Sequence, residues 1–296
     1  MSHKRPPGGA ADRNRPQKPF NLRRFASRLA LYLSLTCAVA IMLLPIAWML
    51  STAFKSSSEV FQIPPTWIPR HISFESFRLA LTPIILRFFL NSVIVAAGTT
   101  LLSLLAGSLA AYALSRFHFP GGQTILLFFL ASMAFPLPLL MISMYVMFAS
   151  LNLLNSYWAL ILGHTVLTLP LVVWLLKSFF DSLPRDVEAA AYVDGAGPFY
   201  TLFRIVMPMA RPGLTAAGVF VAVTSWNEFV IGLTFTTSTN LRPLPAGISM
   251  VFLQEFQYRW PEMMAVATLA TIPIFVLFLF FQRSFVQGVT AGAVKG

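Results

Sequence analysis

Long apolar stretches alternate with shorter polar ones along the chain. Apolar residues dominate positions 29–50, 88–114, 124–148, 157–176, 213–235 and 263–281. Each stretch approaches or exceeds the roughly 20 residues that a helix needs to cross a bilayer core. A helix also satisfies its own backbone hydrogen bonds in a medium without water. The pattern predicts an all-α membrane protein, with six transmembrane helices in a membrane domain over residues 29–283. Residues 1–28, rich in Pro, Gly and Arg, predict a basic disordered tail, and residues 284–296 a short C-terminal tail.

The first stretch exceeds the apolar core of a secretory signal and lacks a small-residue cleavage site, so it predicts an uncleaved anchor, kinked at Pro45. Gly98, Gly107 and Ser108 in the second allow close helix approach in lipid, and Asn91 and Ser92 at its start fit a packing role. Pro136 and Pro138 break the third; a pathway-lining helix and a structural kink both fit. Residues 52–87, with Pro64, Pro65, Trp67 and Pro69, predict an ordered lid or an interfacial segment that Trp67 anchors. The connection at 236–261 carries Arg242, Pro243, Pro245, Glu255, Gln257, Tyr258 and Trp260, a polar and aromatic mixture that suits a carbohydrate or a protein partner.

Ionisable side chains are scarce inside the apolar stretches. His164 has no acid in its own span, which favours a hydrogen-bonded structural role. Glu228, beside Asn227, lies in the fifth stretch. An intramembrane charge is costly and marks a candidate pathway, so Asn227 and Glu228 are pathway candidates, with a structural pairing of Glu228 equally open.

Composition agrees with the pattern: 57% of the 296 residues are hydrophobic and 10% charged. One cysteine, Cys37, excludes an intramolecular disulfide and argues against a Cys metal cluster. The net charge of +11 does not point to nucleic acid, because much of it sits in the first 28 residues, directly before a span, where it suits anionic membrane lipid. With that tail inside, six spans return the C-terminus inside, and 15 of the 21 Lys and Arg residues fall in inside segments, as the positive-inside rule requires. The predicted location is a plasma membrane, crossed several times, with both termini cytoplasmic.

This topology places residues 183–212 in the cytoplasm, charged and interrupted by Gly and Pro. Pro184 suits a first helical position, and Asp186 and Glu188 fall in the first turns, where the helix dipole favours acid. Val187, Ala190 and Ala191 share one flat face. Gly195-Ala196-Gly197 ends that helix and Pro198 starts another, with Phe199, Leu202, Phe203 and Val206 at amphipathic spacing. Pro208 and Pro212 close the unit. A two-helix knuckle between spans is a docking element.

The knuckle resembles the EAA loop of binding-protein-dependent ABC importers, whose pattern is Glu-Ala-Ala, three residues, Gly, nine residues, Ile, one residue, Leu-Pro. Ala190, Ala191, Gly195, Ile205 and Pro208 fall in that register. Met207 replaces the Leu, and Ala189 takes the Glu position, with Glu188 one residue early. One residue turns a side chain by about 100° around a helix, so the family's contact is not assigned to Glu188, and a role as dipole partner at the helix start alone stays open beside it. Other pieces resemble the carbohydrate branch of the maltose-transporter type: Ala-Ala-Tyr-Ala-Leu-Ser-Arg-Phe at 110–117, Phe-Pro-Gly at 119–121, Trp-Asn-Glu-Phe at 226–229 and Gly-Ala-Val-Lys-Gly at 292–296.

The resemblance implies the type I importer permease fold and a permease subunit for a sugar or oligosaccharide. It implies four partners: a second permease subunit, a pair of cytoplasmic ATP-binding subunits and an external substrate-binding protein. ATPase docking would involve Arg185, Glu188, Ala190, Ala191, Asp194, Gly195, Ile205 and Pro208. Residues 236–261 would probe the binding protein, and residues 292–296 would reach between the ATPases. No glycine-rich phosphate loop, nucleophile triad or metal signature occurs in the sequence, so catalysis by this chain, a cofactor and a bound metal are not expected. A sugar acid or a phosphorylated polyol remains an alternative cargo. A proton-coupled secondary transporter using His164 and Glu228 remains an alternative mechanism, though no internal repeat supports it.

Overall fold

The computed structural model of the chain describes residues 22–253 and 259–293, with side chains over 27–252 and 259–282. The first helix, α1 (Leu22–Ala53), begins seven residues before the first apolar stretch and takes in the end of the predicted tail. Residues 1–21 of that tail lie outside the described residues. The chain divides into one unit up to Trp48 and another from Met49 onward.

In the second unit, the connection to the next span is ordered around α2 (Ser57–Val60) and α3 (Glu75–Ala80). Glu59, 5% exposed, accepts from the Thr66 hydroxyl at 3.1 Å and the Arg70 N–H at 2.9 Å, while Lys55 Nζ donates to the Thr66 carbonyl. The Arg70 N–H is the main cause that holds the Glu59 carboxyl below its ordinary range. Trp67 stays 56% exposed.

Two long helices form the centre: α4 (Pro83–Arg116) and α7 (Tyr157–Ser182), packed along their length. Small residues permit the approach, as predicted. A Cβ on Gly107 would meet Val172 Cγ1 at 2.5 Å, and one on Gly98 would meet Ile161 Cδ1 at 2.6 Å. Ser103 and Thr168 hydrogen-bond across the pair at 2.9 Å.

Between these helices lie α5 (Gly122–Ser132) and α6 (Leu137–Ser150), the third apolar stretch. They meet at 102°, far beyond a kink. Pro136 caps α6 in an extended conformation and Pro138 sits in its first turn, which suits a helix start and not a helix interior. At 1.5 Å per residue the two pieces are about 16 and 21 Å long, each short of the roughly 30 Å core.

After α7 come α8 (Asp186–Val193), α9 (Pro198–Thr201), a π-helical turn (Leu202–Val206) and α10 (Met207–Met209). The π turn contains Arg204, four residues before Pro208, where a proline ring disrupts α-helical bonding. The chain then bends by 84° into α11 (Arg211–Asn227), which packs on α4 and α7. The fifth span is not one helix: α11 stops at Asn227, and α12 (Val230–Phe235) resumes after two residues.

Residues 236–261, expected as a loop, contain a short 3-10 turn (Thr239–Leu241) and a ten-residue helix, α13 (Leu244–Leu253). Leu244 and Ala246 are fully or nearly fully buried, and a Cβ on Gly247 would meet the Phe88 ring at 2.3 Å. Asn91 Nδ2 donates to the carbonyls of Asn240 and Arg242 at 2.8 and 2.9 Å, and Ser92 Oγ accepts from Leu244 N–H at 2.8 Å. The packing role read for both residues is thus a fastening of this segment onto α4. Glu255, Gln257 and Tyr258 lie outside the described residues. The last helix, α14 (Trp260–Ala293), packs on α11 and continues through most of the predicted C-terminal tail. The tail's end, residues 294–296, lies outside the described residues.

Among the described residues, four helices are long and apolar enough to cross a membrane, and six spans result when each of two bent pairs counts as one. Three apolar clusters among the described residues hold the second unit. One lies around Phe88, Trp226 and Leu244, one around Ile161, Ile231 and Phe235, and one beneath the knuckle around Tyr112, Leu176, Phe180, Leu202 and Val206.

Candidate functional site

The knuckle begins where α7 ends. Leu183 is extended, and α8 starts at Asp186 with Asp186 and Glu188 in its first turn. It stops in a Schellman arrangement: Gly195 N–H donates to the Tyr192 carbonyl at 3.1 Å and Ala196 N–H to the Ala191 carbonyl at 2.9 Å. Gly195 has φ +83°, the left-handed region where a side chain is strained.

Glu188 has a contact that the sequence left open. It is more than a dipole partner at a helix start. Its side chain turns into the protein, 5% exposed, and pairs with Arg116 at the end of α4. Arg116 Nε donates to Glu188 Oε1 at 2.7 Å, Nη1 to Ser115 Oγ at 2.8 Å, and Nη2 to the Phe180 carbonyl at 2.8 Å. The other carboxylate oxygen accepts the Tyr112 hydroxyl at 3.1 Å, which leaves Tyr192 to donate to the Tyr112 oxygen at 3.0 Å. Ser115 Oγ donates to Asp181 Oδ1 at 2.5 Å, and Asp181 pairs with Lys177 at 2.6 Å. An ion pair this buried costs much to desolvate and stands only when its remaining donors and acceptors are satisfied, as these are.

The other residues read as docking candidates divide by face. Ala191, 8% exposed, turns inward, so Val187, Ala190 and Ala191 do not all share an outer face. Arg185, Ala190, Asp194, Gly195 and Pro208 are exposed, and Ile205 is half-buried. Arg185 donates to the Ser115 carbonyl at 3.2 Å. Large apolar side chains accompany the exposed set: Val193 is 87% exposed, Phe199 69% and Tyr200 59%. Ala189 lies on the rim of a cavity of about 460 Å³ together with Arg116, Arg185, Glu188, Tyr192 and Pro198.

An Ala189→Glu variant places a carboxylate on that rim, near two arginines. We expect assembly and transport within about twofold of wild type, the scale of a surface substitution. Loss of complex assembly on a sizing column would show that the motif's register has shifted.

The pathway candidates part company. Asn227 is exposed, donates to the Val223 carbonyl at 2.9 Å, and lines a largely apolar cavity of about 610 Å³ with Trp226, Leu244, Thr271 and Phe275. Glu228 turns away and is 9% exposed. One of its oxygens accepts the N–H groups of Val230 and Ile231 at 2.8 and 2.9 Å. The other accepts Gly232 N–H at 3.1 Å and faces His164 Nε2 at 3.2 Å. His164 Nδ1 lies 2.6 Å from Ser225 Oγ. The acid that His164 lacks in its own span therefore comes from the neighbouring one. The carboxylate bridges the break in the fifth span by capping α12, a structural use of every acceptor it has.

Sequence reasoning missed Arg116, Tyr112 and Tyr192 as a group. The run at 110–117 holds Tyr112 and Arg116 as part of a resemblance, with no contact to the knuckle assigned to either. The signal available was the lone arginine at a span's end, with a tyrosine one turn earlier in the same helix.

Residues 103–291 match the family of binding-protein-dependent transport system inner membrane components. The chain is similar to the sulfoquinovosyl glycerol transport system permease protein SmoH of Agrobacterium fabrum, at 39% identity over 86% of this chain and 89% of that one. It is similar to the trehalose/maltose transport system permease protein MalG of Thermococcus litoralis, at 34% identity over 91% and 97%. Among solved structures it resembles a bacterial ABC transporter involved in the import of the acidic polysaccharide alginate. The TM-score is 0.76 at 20% identity, covering 90% of this chain and all of that one. The fold is that of an ABC importer permease, an all-α membrane protein. The chain belongs to the family of inner-membrane components of binding-protein-dependent transport systems, and it is a multi-pass permease subunit of a transporter complex.

Proposed function

We propose that this chain is the permease subunit of an ATP-driven importer for a carbohydrate, and that it takes force from an ATPase at the knuckle. One observation carries the reading: a two-helix knuckle between membrane helices α7 and α11 exposes Arg185, Ala190, Asp194 and a set of apolar side chains. Exposed apolar groups beside charges mark a protein interface. The names of the relatives, a sulfoquinovosyl glycerol permease and a trehalose/maltose permease, support a sugar or oligosaccharide as cargo.

The complex would contain a second permease subunit, a dimer of cytoplasmic ATP-binding subunits and an external substrate-binding protein. Hydrolysis belongs to the ATPases and this chain is non-catalytic. Both termini and the knuckle face the cytoplasm of a bacterial inner membrane, as the distribution of Lys and Arg favours. ATPase closure displaces α8, and the spans rearrange between two access states. A sugar acid, sulfonated sugar or polyol fits the same framework.

Extraction in mild detergent tests this. A stoichiometric ATPase and a second permease should accompany the chain, and their external receptor should bind a carbohydrate. A chain that purifies alone and transports on a proton gradient would overturn the proposal. The closed hydrogen bonding of His164 and Glu228 speaks against that outcome.

A further inference from the structure

Arg116 joins three elements. It leaves from the last turn of α4, meets the Phe180 carbonyl near the end of α7, and pairs with Glu188 in α8. Its Nε, Nη1 and Nη2 all donate, and both side chains of the ion pair are less than a tenth exposed. Tyr112, one turn earlier on α4, holds the second oxygen of Glu188 and also Tyr192 near the end of α8. Helix α8 is thus tied at both of its ends to the close-packed α4 and α7.

The next part of the chain is held differently. At Gly195 and Gly197 a Cβ would meet nothing within 4 Å. Beyond them the contacts are apolar: Leu202, Val206 and Ala210 share one cluster with Ala111 and Tyr112 of α4, Val172, Leu176 and Phe180 of α7, and Ala217 and Val221 of α11, while the Thr201 hydroxyl bonds within the knuckle, to the Gly197 carbonyl at 3.1 Å. The polar clamp holds α8, and the two uncrowded glycines lie directly after it.

We infer that Arg116 and Glu188 are positioning residues of transport. Their buried pair makes α8 a rigid continuation of the α4–α7 pair, so force on the outer face of α8 moves those spans instead of rocking α8 alone. This rests on the proposed importer function for its consequence, but the rigidity is a property of the chain itself.

Three variants in the complete reconstituted complex test it: Arg116→Gln, Glu188→Gln and Tyr112→Phe. A spin label at Asp186→Cys, exposed on α8 and outside the docking set, in a Cys37→Ser background, reports the motion of α8. Cargo moved per ATP hydrolysed reports its use. In Arg116→Gln and Glu188→Gln the label should become more mobile, and cargo per ATP should fall about tenfold while hydrolysis stays within about twofold, a typical size for coupling between sites. The double variant should be no worse than either single one, because both break one pair.

Unchanged label mobility together with unchanged cargo per ATP in the assembled complex would overturn the inference. If the glutamine variants do not assemble, Tyr112→Phe decides, since it removes one hydroxyl and no volume. Raised mobility supports the clamp, and unchanged mobility overturns it. If the wild type shows no ATP-driven uptake, the importer proposal fails, while the label still judges the clamp.

Discussion

A Gly195→Val variant is expected to reach the membrane, assemble and hydrolyse ATP, yet import about a tenth or less of the wild-type amount of cargo. The cause is conformational. Gly195 ends α8 at φ +83°, and a Cβ there would meet no atom within 4 Å. Left-handed backbone costs an L-residue about 1–2 kcal/mol, and a β-branched residue suffers most. A cost of that size shifts an equilibrium by roughly tenfold. The chain can relieve the strain only by leaving the Schellman arrangement, which frees the end of α8. Gly195→Asn is the matched control, because Asn tolerates the left-handed region. It should keep most of its transport. Equal loss in both variants would show that bulk at the docking surface, and not backbone shape, is what matters.

The second large effect is on stability. Glu228→Ala removes the acceptor for three backbone N–H groups and for His164, all at the break between α11 and α12. Each buried donor left unpaired costs about 1–3 kcal/mol, and loss of one partner of a buried pair about 3–5 kcal/mol. For a chain of this size, that corresponds to a melting temperature lower by about 10 °C or more, measurable by heating the detergent-solubilised protein. His164→Ala should be milder, because the cap on α12 survives. The double variant should cost little more than Glu228→Ala alone. A Glu228→Gln protein that melted like wild type but had lost all uptake would reverse the assignment and make this carboxylate part of a pathway.

The pattern of spans was legible because hydropathy reports burial in lipid directly. Where spans break was less so. Pro136 and Pro138 announce a break in the third stretch, but not that its halves meet at 102°. The interruption at Glu228 carries no proline at all; it depends on a carboxylate capping the following turn, a contact that hydropathy ignores. Residues 236–261 looked like a loop because they mix polar, aromatic and proline residues. Leu244 and Gly247 meet Ser92 and Phe88 of α4 through contacts more than 150 residues apart in sequence, which no local pattern encodes.

At the knuckle, the motif's register placed Gly195 and the helix end correctly. It left the direction of Glu188 open, because that depends on where Arg116 arrives from α4. The face of α8 could be read from spacing, but which face is inner required its neighbour.

Helix α4 runs unbroken for 34 residues. Near its start Asn91 and Ser92 hold the segment that leads into α13, and at its end Arg116 holds α8. At 1.5 Å per residue, Asn91 and Arg116 stand about 38 Å apart along one shaft. Gly98 and Gly107 press that shaft against α7 between the two attachments. One continuous helix thus carries both attachments, so a displacement of α4 as a body carries the segment before α13 and the start of the knuckle with it.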